Sequence, residues 1–221
     1  MRIAVSGTTC IGKSTFIDDF ISNWQMYKLC ENPRYTDLVK EKNLQLNENG
    51  NEDSQRIILN SLIDQVMSSS KTDNVIFDRS VLDNLVYTMW LNANEKVSDS
   101  FVKESIKLVR ESLVFYDILF FLPITRQSPV KFIEAEHRTT SHVYRLEIDN
   151  IFKALVHQYN KNDSTYFPFE LKAGSPAIIE IFGTRKLRIE LAKQYIGLDG
   201  QIVAEEPNLF MPSDPHISDF K

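Results

Sequence analysis

The chain is 221 residues long, 43% apolar and 11% aromatic, and it carries 25 lysines and arginines against 30 acidic residues, a formal charge of −5. Such a length and apolar share supply the core of one compact domain or a small pair, whereas the acidic balance lacks the basic excess with which a dedicated DNA-binding module engages the phosphate backbone. Two cysteines, Cys10 and Cys30, form neither a disulfide framework nor a metal-ligand pattern; with no basic-then-apolar leader and no apolar run near the roughly 18 residues that span a bilayer, a cytoplasmic protein without membrane or nucleic-acid partners is expected.

The first predicted element is the strand RIAVS (Arg2 to Ser6), and the pattern after residue 15 places Phe16, Ile17, Phe20, Ile21 and Trp24 on one helical face. The stretch GTTCIGKST (residues 7–15) therefore joins a strand to a helix. Gly7 and Gly12 bracket four residues before Lys13 and Ser14, which is the G-x-x-x-x-G-K-[ST] phosphate-binding loop in its required context. Successive backbone N–H groups of such a loop make an anion nest, so Gly7, Thr9, Cys10, Ile11, Gly12, Lys13, Ser14 and Thr15 are expected to surround the phosphates of a nucleoside triphosphate. Lys13 would reach the outer phosphates and the Ser14 hydroxyl would ligate magnesium.

Further strands are predicted at MYKLC (26–30), NVIFD (74–78), ILFFL (118–122) and AIIEIF (177–182), with a polar loop at 47–54. Helical patterns run over 80–92, where Ser80 and Asp83 fit a Ser-x-x-acid cap, over 101–116, and over IDNIFKALVHQY (148–159). Strands alternating with helices predict an α/β fold with a parallel sheet. The long polar interval 125–145 follows the fourth strand and suits a lid. One P-loop domain over 1–198, with a lid at about 125–147, and a proline-containing tail over 199–221 complete the expected organisation.

Asp78 ends an apolar run at the carboxyl edge of the predicted sheet, where ligands gather in open α/β folds, and is placed to bind magnesium directly or through water. Arg79 follows it. Asp117 begins its strand and so falls at the opposite edge. The NKND at 160–163 imitates a guanine-reading element, but it ends a helix and no D-x-x-G occurs in the chain, which disfavours a GTPase.

GTTCIGKST, ENP (31–33) and DRS (78–80) with a helix behind it resemble, in order along the chain, the P-loop nucleoside and nucleotide kinases, above all deoxynucleoside kinases and thymidylate kinase. Glu31 and Arg34, then DRSVLDNLVYT, then GTRKLRIELAKQYI are also similar to ribosylnicotinamide kinase-type domains. The resemblance implies a three-layer fold with a five-stranded parallel sheet, ATP as phosphoryl donor and Mg2+ organised by Ser14 and Asp78. It implies that Lys13 grips the donor, that Arg79 faces the transferred group or an acceptor phosphate, and that Glu31 takes a proton from an acceptor hydroxyl, unless Glu31 merely caps the next helix. Gln55 lies where such kinases carry a base-reading glutamine.

Arg126, Arg138 and Arg145 carry the lid assignment, since arginine stabilises the charge of phosphoryl transfer; Arg138 and Arg145 could equally be solvated surface charges, and His137 and His142 read as surface residues. Arg34 and Arg79 together could clamp a monophosphate, which favours a deoxynucleoside monophosphate as acceptor. A nucleoside, a ribosylnicotinamide or a modified base in DNA stay open as acceptors, as does a non-catalytic ATP-binding module, and a homodimer of the chain is a further expectation.

Overall fold

The computed structural model describes residues 1–30, 35–70, 72–126, 128, 141–161 and 174–203. Glu31, Arg34, His137 and Arg138, most of the expected lid and the tail beyond residue 203 lie outside these.

Five strands, β1 (Arg2–Ser6), β2 (Lys28–Leu29), β3 (Val75–Asp78), β4 (Ile118–Phe121) and β5 (Ala177–Glu180), form one sheet in the order β2-β3-β1-β4-β5. Every pairing is parallel, as expected for α/β. β1 is buried along its whole length, which explains its unbroken apolar run: a central parallel strand is covered on both faces. Alternation along the strands divides the core. Ala4, Phe77, Leu119 and Phe121 face one cluster, and Ile3, Val5, Ile76, Ile118 and Phe120 face the other.

The second face is covered by α1 (Lys13–Asn23) and α7 (Arg185–Ala192). On α1, Phe20 stacks on Trp24 with ring centroids 4.4 Å apart and meets Tyr27 edge-on at 5.2 Å. The Trp24 indole N–H donates to the Gly197 carbonyl and the Tyr27 hydroxyl to that of Gly200, so the tight turn closed by the Ile196–Ile202 bridge docks on this aromatic group. The first face is covered by α3 (Glu52–Ser68), α4 (Val81–Ala93), α5 (Asp99–Leu113) and α6 (His142–Asn160). The short α2 (Tyr35–Glu41) precedes them. No described helix is long and apolar enough to cross a membrane.

Several boundaries differ from those expected. The 47–54 stretch is not one loop: Asn51 caps α3, its side chain accepting from Ser54 N at 2.9 Å, and a 3-10 turn covers Asn47–Asn49. The fourth helix starts on the Ser80 cap as predicted, with the reciprocal Ser80–Asp83 box formed. α5 begins two residues before the expected 101 because Ser98 caps it. α6 begins at His142, inside the interval assigned to the lid, and ends at Asn160, so Asn160 and Lys161 of the NKND stretch terminate a helix.

Candidate functional site

The turn after β1 is built for an anion. Gly7 has φ +143°, and a Cβ there would meet the Leu122 carbonyl oxygen at 2.7 Å, so the backbone just past β4 approaches too closely for any side chain. Gly12, with φ +91°, heads α1 without a side-chain cap, while α3, α4, α5, α6 and α7 all have one. The first N–H groups of α1 thus lack the partner that the other capped helices supply internally, and a phosphate fits that place.

Lys13 is buried, and its Nζ donates to the carbonyls of Gly7 (2.7 Å) and Thr8 (2.9 Å). Burial, helped by the nearby Arg79 charge and opposed by Asp83 and Asp78, pulls its ammonium from 10.5 down to about 8. A bound polyphosphate would favour the charged form and raise it again. Above about pH 8 the ligand-free protein must therefore take up a proton to bind, and polyphosphate affinity is expected to fall by up to about tenfold per pH unit there. Calorimetric titration with tripolyphosphate in two buffers of different ionisation enthalpy measures both the weakening and the proton uptake; equal affinity at about pH 7 and pH 9.5 with no uptake would contradict the assignment of Lys13.

Across the loop, at the carboxyl end of β3, the Ser14 hydroxyl lies 3.5 Å from Asp78 Oδ2, and Asp78 Oδ1 is buried with no partner among the described residues. An orphaned carboxylate oxygen beside a hydroxyl suits a hard divalent cation such as magnesium. Asp117, in contrast, sits at the start of β4 and accepts from Arg2 N at 2.6 Å, at the far edge of the sheet.

The next residue, Arg79, has φ +91°, a conformation that costs a non-glycine residue about 1–3 kcal/mol and is tolerated where surroundings enforce it. They do so here: Arg79 N donates to Val5 O (3.0 Å), and Ser80 N donates to Asp83 Oδ2 (2.9 Å). Asp83 also accepts from Gly7 N (3.3 Å) and pairs with the Arg79 guanidinium (3.6 Å). The Ser6 and Ser80 hydroxyls are 2.8 Å apart. One buried carboxylate therefore ties the head of the phosphate loop, the strained turn and the arginine together.

Beyond Arg79 lies a narrow cavity of about 20 Å³, lined by Leu46, Asn47, Gln55, Ile58, Leu62, Arg79, Asp83, Asn84 and Tyr87. Gln55 is buried here, because Ser54, Gln55, Ile58, Leu59 and Leu62 share the inner face of α3. Its side-chain carbonyl accepts from Asn84 Nδ2 at 2.8 Å. The amide pair offers donors and acceptors to a planar polar ring, although a cavity of about 20 Å³ is too small to hold one without widening.

Lys13, Ser14, Asp78, Arg79 and Gln55 are thus brought to one edge of the sheet. Arg145 is buried in the first turn of α6 and is no solvated surface charge, while Arg126 and His142 are exposed. Sequence reasoning treated Asp83 only as a cap and overlooked Asn84 and Tyr87, although all three follow from the helical register of DRSVLDNLVYT once the Ser80 cap is placed against the loop. Arg188, which donates to the Ile11 carbonyl at 3.0 Å, was also overlooked, and its separation of 177 residues leaves no local signal.

A family model described as an AAA domain matches residues 2–163. Among solved structures the fold is similar to deoxyadenosine kinase from M. mycoides with the products dCMP and a flexible dCDP bound (18% identity over 88% of this chain and 97% of that one, TM-score 0.56). It is similar also to thymidylate kinase from Candida albicans (16% identity, 87% and 89% covered, TM-score 0.56). NadR in complex with NR is matched over 89% of this chain but only 50% of that one (13% identity, TM-score 0.58). At these identities the likeness is one of fold. No curated protein matches the sequence.

Proposed function

The chain belongs to the AAA domain family, matched over residues 2–163, and from that premise we propose that it is an ATP-dependent phosphotransferase of the nucleoside and nucleotide kinase kind, with a deoxynucleoside monophosphate as acceptor. The observation that carries this reading is the juxtaposition, at one sheet edge, of an uncapped phosphate loop with its buried Lys13, a carboxylate with an orphaned oxygen at Asp78, and Arg79 between that carboxylate and a cavity lined by the Gln55–Asn84 amide pair. A donor site alone would not require the last two.

In this reading the loop amides and Lys13 hold the β- and γ-phosphates of ATP, and Ser14 and Asp78 hold Mg2+, which would neutralise the phosphate charge. Arg79 meets the transferred group or the acceptor phosphate, and Gln55 with Asn84 meets the acceptor base. Arg34 and Arg138, outside the described residues, keep the roles of acceptor clamp and lid arginine on the strength of the family resemblance, and Glu31, also outside them, would act as a base only toward a hydroxyl acceptor. The folds of deoxyadenosine kinase and thymidylate kinase support a small nucleoside or nucleotide acceptor.

The test is release of ADP from Mg-ATP while nucleosides, deoxynucleoside monophosphates and nicotinamide riboside are offered in turn. Turnover stimulated by a deoxynucleoside monophosphate is expected, and Glu31→Gln should spare it, because a phosphate acceptor is already ionised; a hydroxyl acceptor would lose activity in that variant. Tight ATP binding with no acceptor-stimulated turnover would replace the enzyme by a nucleotide sensor.

A further inference from the structure

Arg188 is 4% exposed; among the described residues its guanidinium donates one hydrogen bond, from Nη1 to the Ile11 carbonyl 3.0 Å away, and Nε and Nη2 have no partner. Burial pushes its pKa down. A buried cation with most of its donors unmatched costs stability, and an apolar side chain of similar volume would fill this place, between α7 and α1, at lower cost. What it touches gives it a use. Ile11 immediately precedes Gly12, and a trans peptide unit directs its C=O and N–H in opposite senses. A cation that fixes the Ile11 carbonyl therefore also fixes the direction of the Gly12 N–H.

We propose that Arg188 is a positioning residue for the phosphate loop: it holds the Ile11–Gly12 peptide unit so that the Gly12 N–H stays turned into the anion nest before the ligand arrives. The inference rests on the kinase reading for its consequence, since preorganised donors are what stabilise a polyphosphate in transfer. Lys13 meets the opposite end of the loop, where its Nζ donates to the Gly7 and Thr8 carbonyls, but those bonds give way to phosphate, whereas the Arg188 bond can persist with the ligand in place. The placement of Arg188 is itself secured one turn earlier, where Arg185 pairs with Asp19 of α1 through two hydrogen bonds of 2.6 and 2.9 Å. Charge-assisted bonds of this kind are the strong ones, and a lysine could reach the carbonyl only as a point charge without the planar fork.

The experiment measures binding of tripolyphosphate and of Mg-ATP by calorimetry, with melting temperature and acceptor KM alongside, for the full chain and its variants R188M and R188K. In R188M, tripolyphosphate and Mg-ATP affinity should drop by about 10- to 100-fold. Melting temperature should hold or rise, acceptor KM should stay as in wild type, and R188K should restore part of the loss. A merely structural arginine would instead lower the melting temperature and leave the affinity of the folded protein unchanged, which would overturn the proposal. If R188M fails to fold, R188K decides: weakened tripolyphosphate binding at native melting temperature supports the assignment, and wild-type binding defeats it. Wild-type protein that binds neither probe would overturn the phosphate-loop reading itself, and this inference with it, a result distinct from a normal wild type with a normal R188M.

Discussion

Replacing Lys13 by methionine is expected to slow phosphoryl transfer by on the order of 10² to 10⁴-fold while leaving the melting temperature unchanged or slightly raised. The two halves of this expectation come from the same fact. The lysine is buried, and burial opposes its charge, pulling the pKa to about 8. The resting protein therefore gains little from the ammonium, which among the described residues donates to two loop carbonyls. Its value appears once phosphate oxygens take the place of those carbonyls and negative charge accumulates on them in the transition state. Methionine keeps the aliphatic stem against its neighbours and removes only the charge. Single-turnover transfer and calorimetric melting measure the two quantities, and unchanged turnover in a folded variant would remove Lys13 from the chemistry.

The second large effect belongs to Asp83, and there stability and activity should fall together. Its carboxylate accepts from Ser80 N, the Ser80 hydroxyl and Gly7 N and faces the Arg79 guanidinium, with its own side chain only 2% exposed. Asp83→Ala removes an N-terminal helix box, leaves Gly7 N without that acceptor and strips Arg79 of its counter-charge, so a loss of about 3 kcal/mol in unfolding free energy is expected. Asp83→Asn keeps the shape and one accepting oxygen but not the charge; it should hold the fold better and still weaken transfer, because Arg79 is no longer oriented. Denaturant unfolding with steady-state kinetics separates the two variants. An alanine variant as stable and active as wild type would show that the Arg79 turn supports itself.

What could be read from the residues alone follows the range of the interactions. The phosphate loop was legible because its chemistry is contiguous: the amides, the lysine and the hydroxyl proposed to act on one anion sit within nine residues. Asp78 was legible because the end of an apolar strand fixes the sheet edge. The burial of Gln55 was not legible because the polar run before it reads as one loop, whereas Asn51 within that run is a cap, and a cap turns everything after it into a helix with an inner face. Asp83 was visible as a cap but not as a tie to Gly7, since that contact crosses 76 residues. Arg188 was invisible for the same reason at greater distance. Arg145, read as lid or surface, is buried because α6 begins three residues before it and turns Tyr144, Arg145 and Ile148 inward.

The order of the sheet bears on how the chain comes to be assembled. β1 precedes the other strands, yet its two neighbours are residues 75–78 and 118–121, and the arginine beneath its loop arrives only at position 188. Contacts of such sequence separation are slow to form, since long intervening segments must be closed before any pairing is rewarded. The apolar RIAVS segment therefore precedes both of its partners, and its second edge stays open until residues 118–121 have been made. The loop after β1 is completed only once Arg188, 177 residues on from Ile11, is in place, so a polyphosphate ligand would recognise only molecules that have finished folding, and its presence would draw the final stage of maturation forward by mass action.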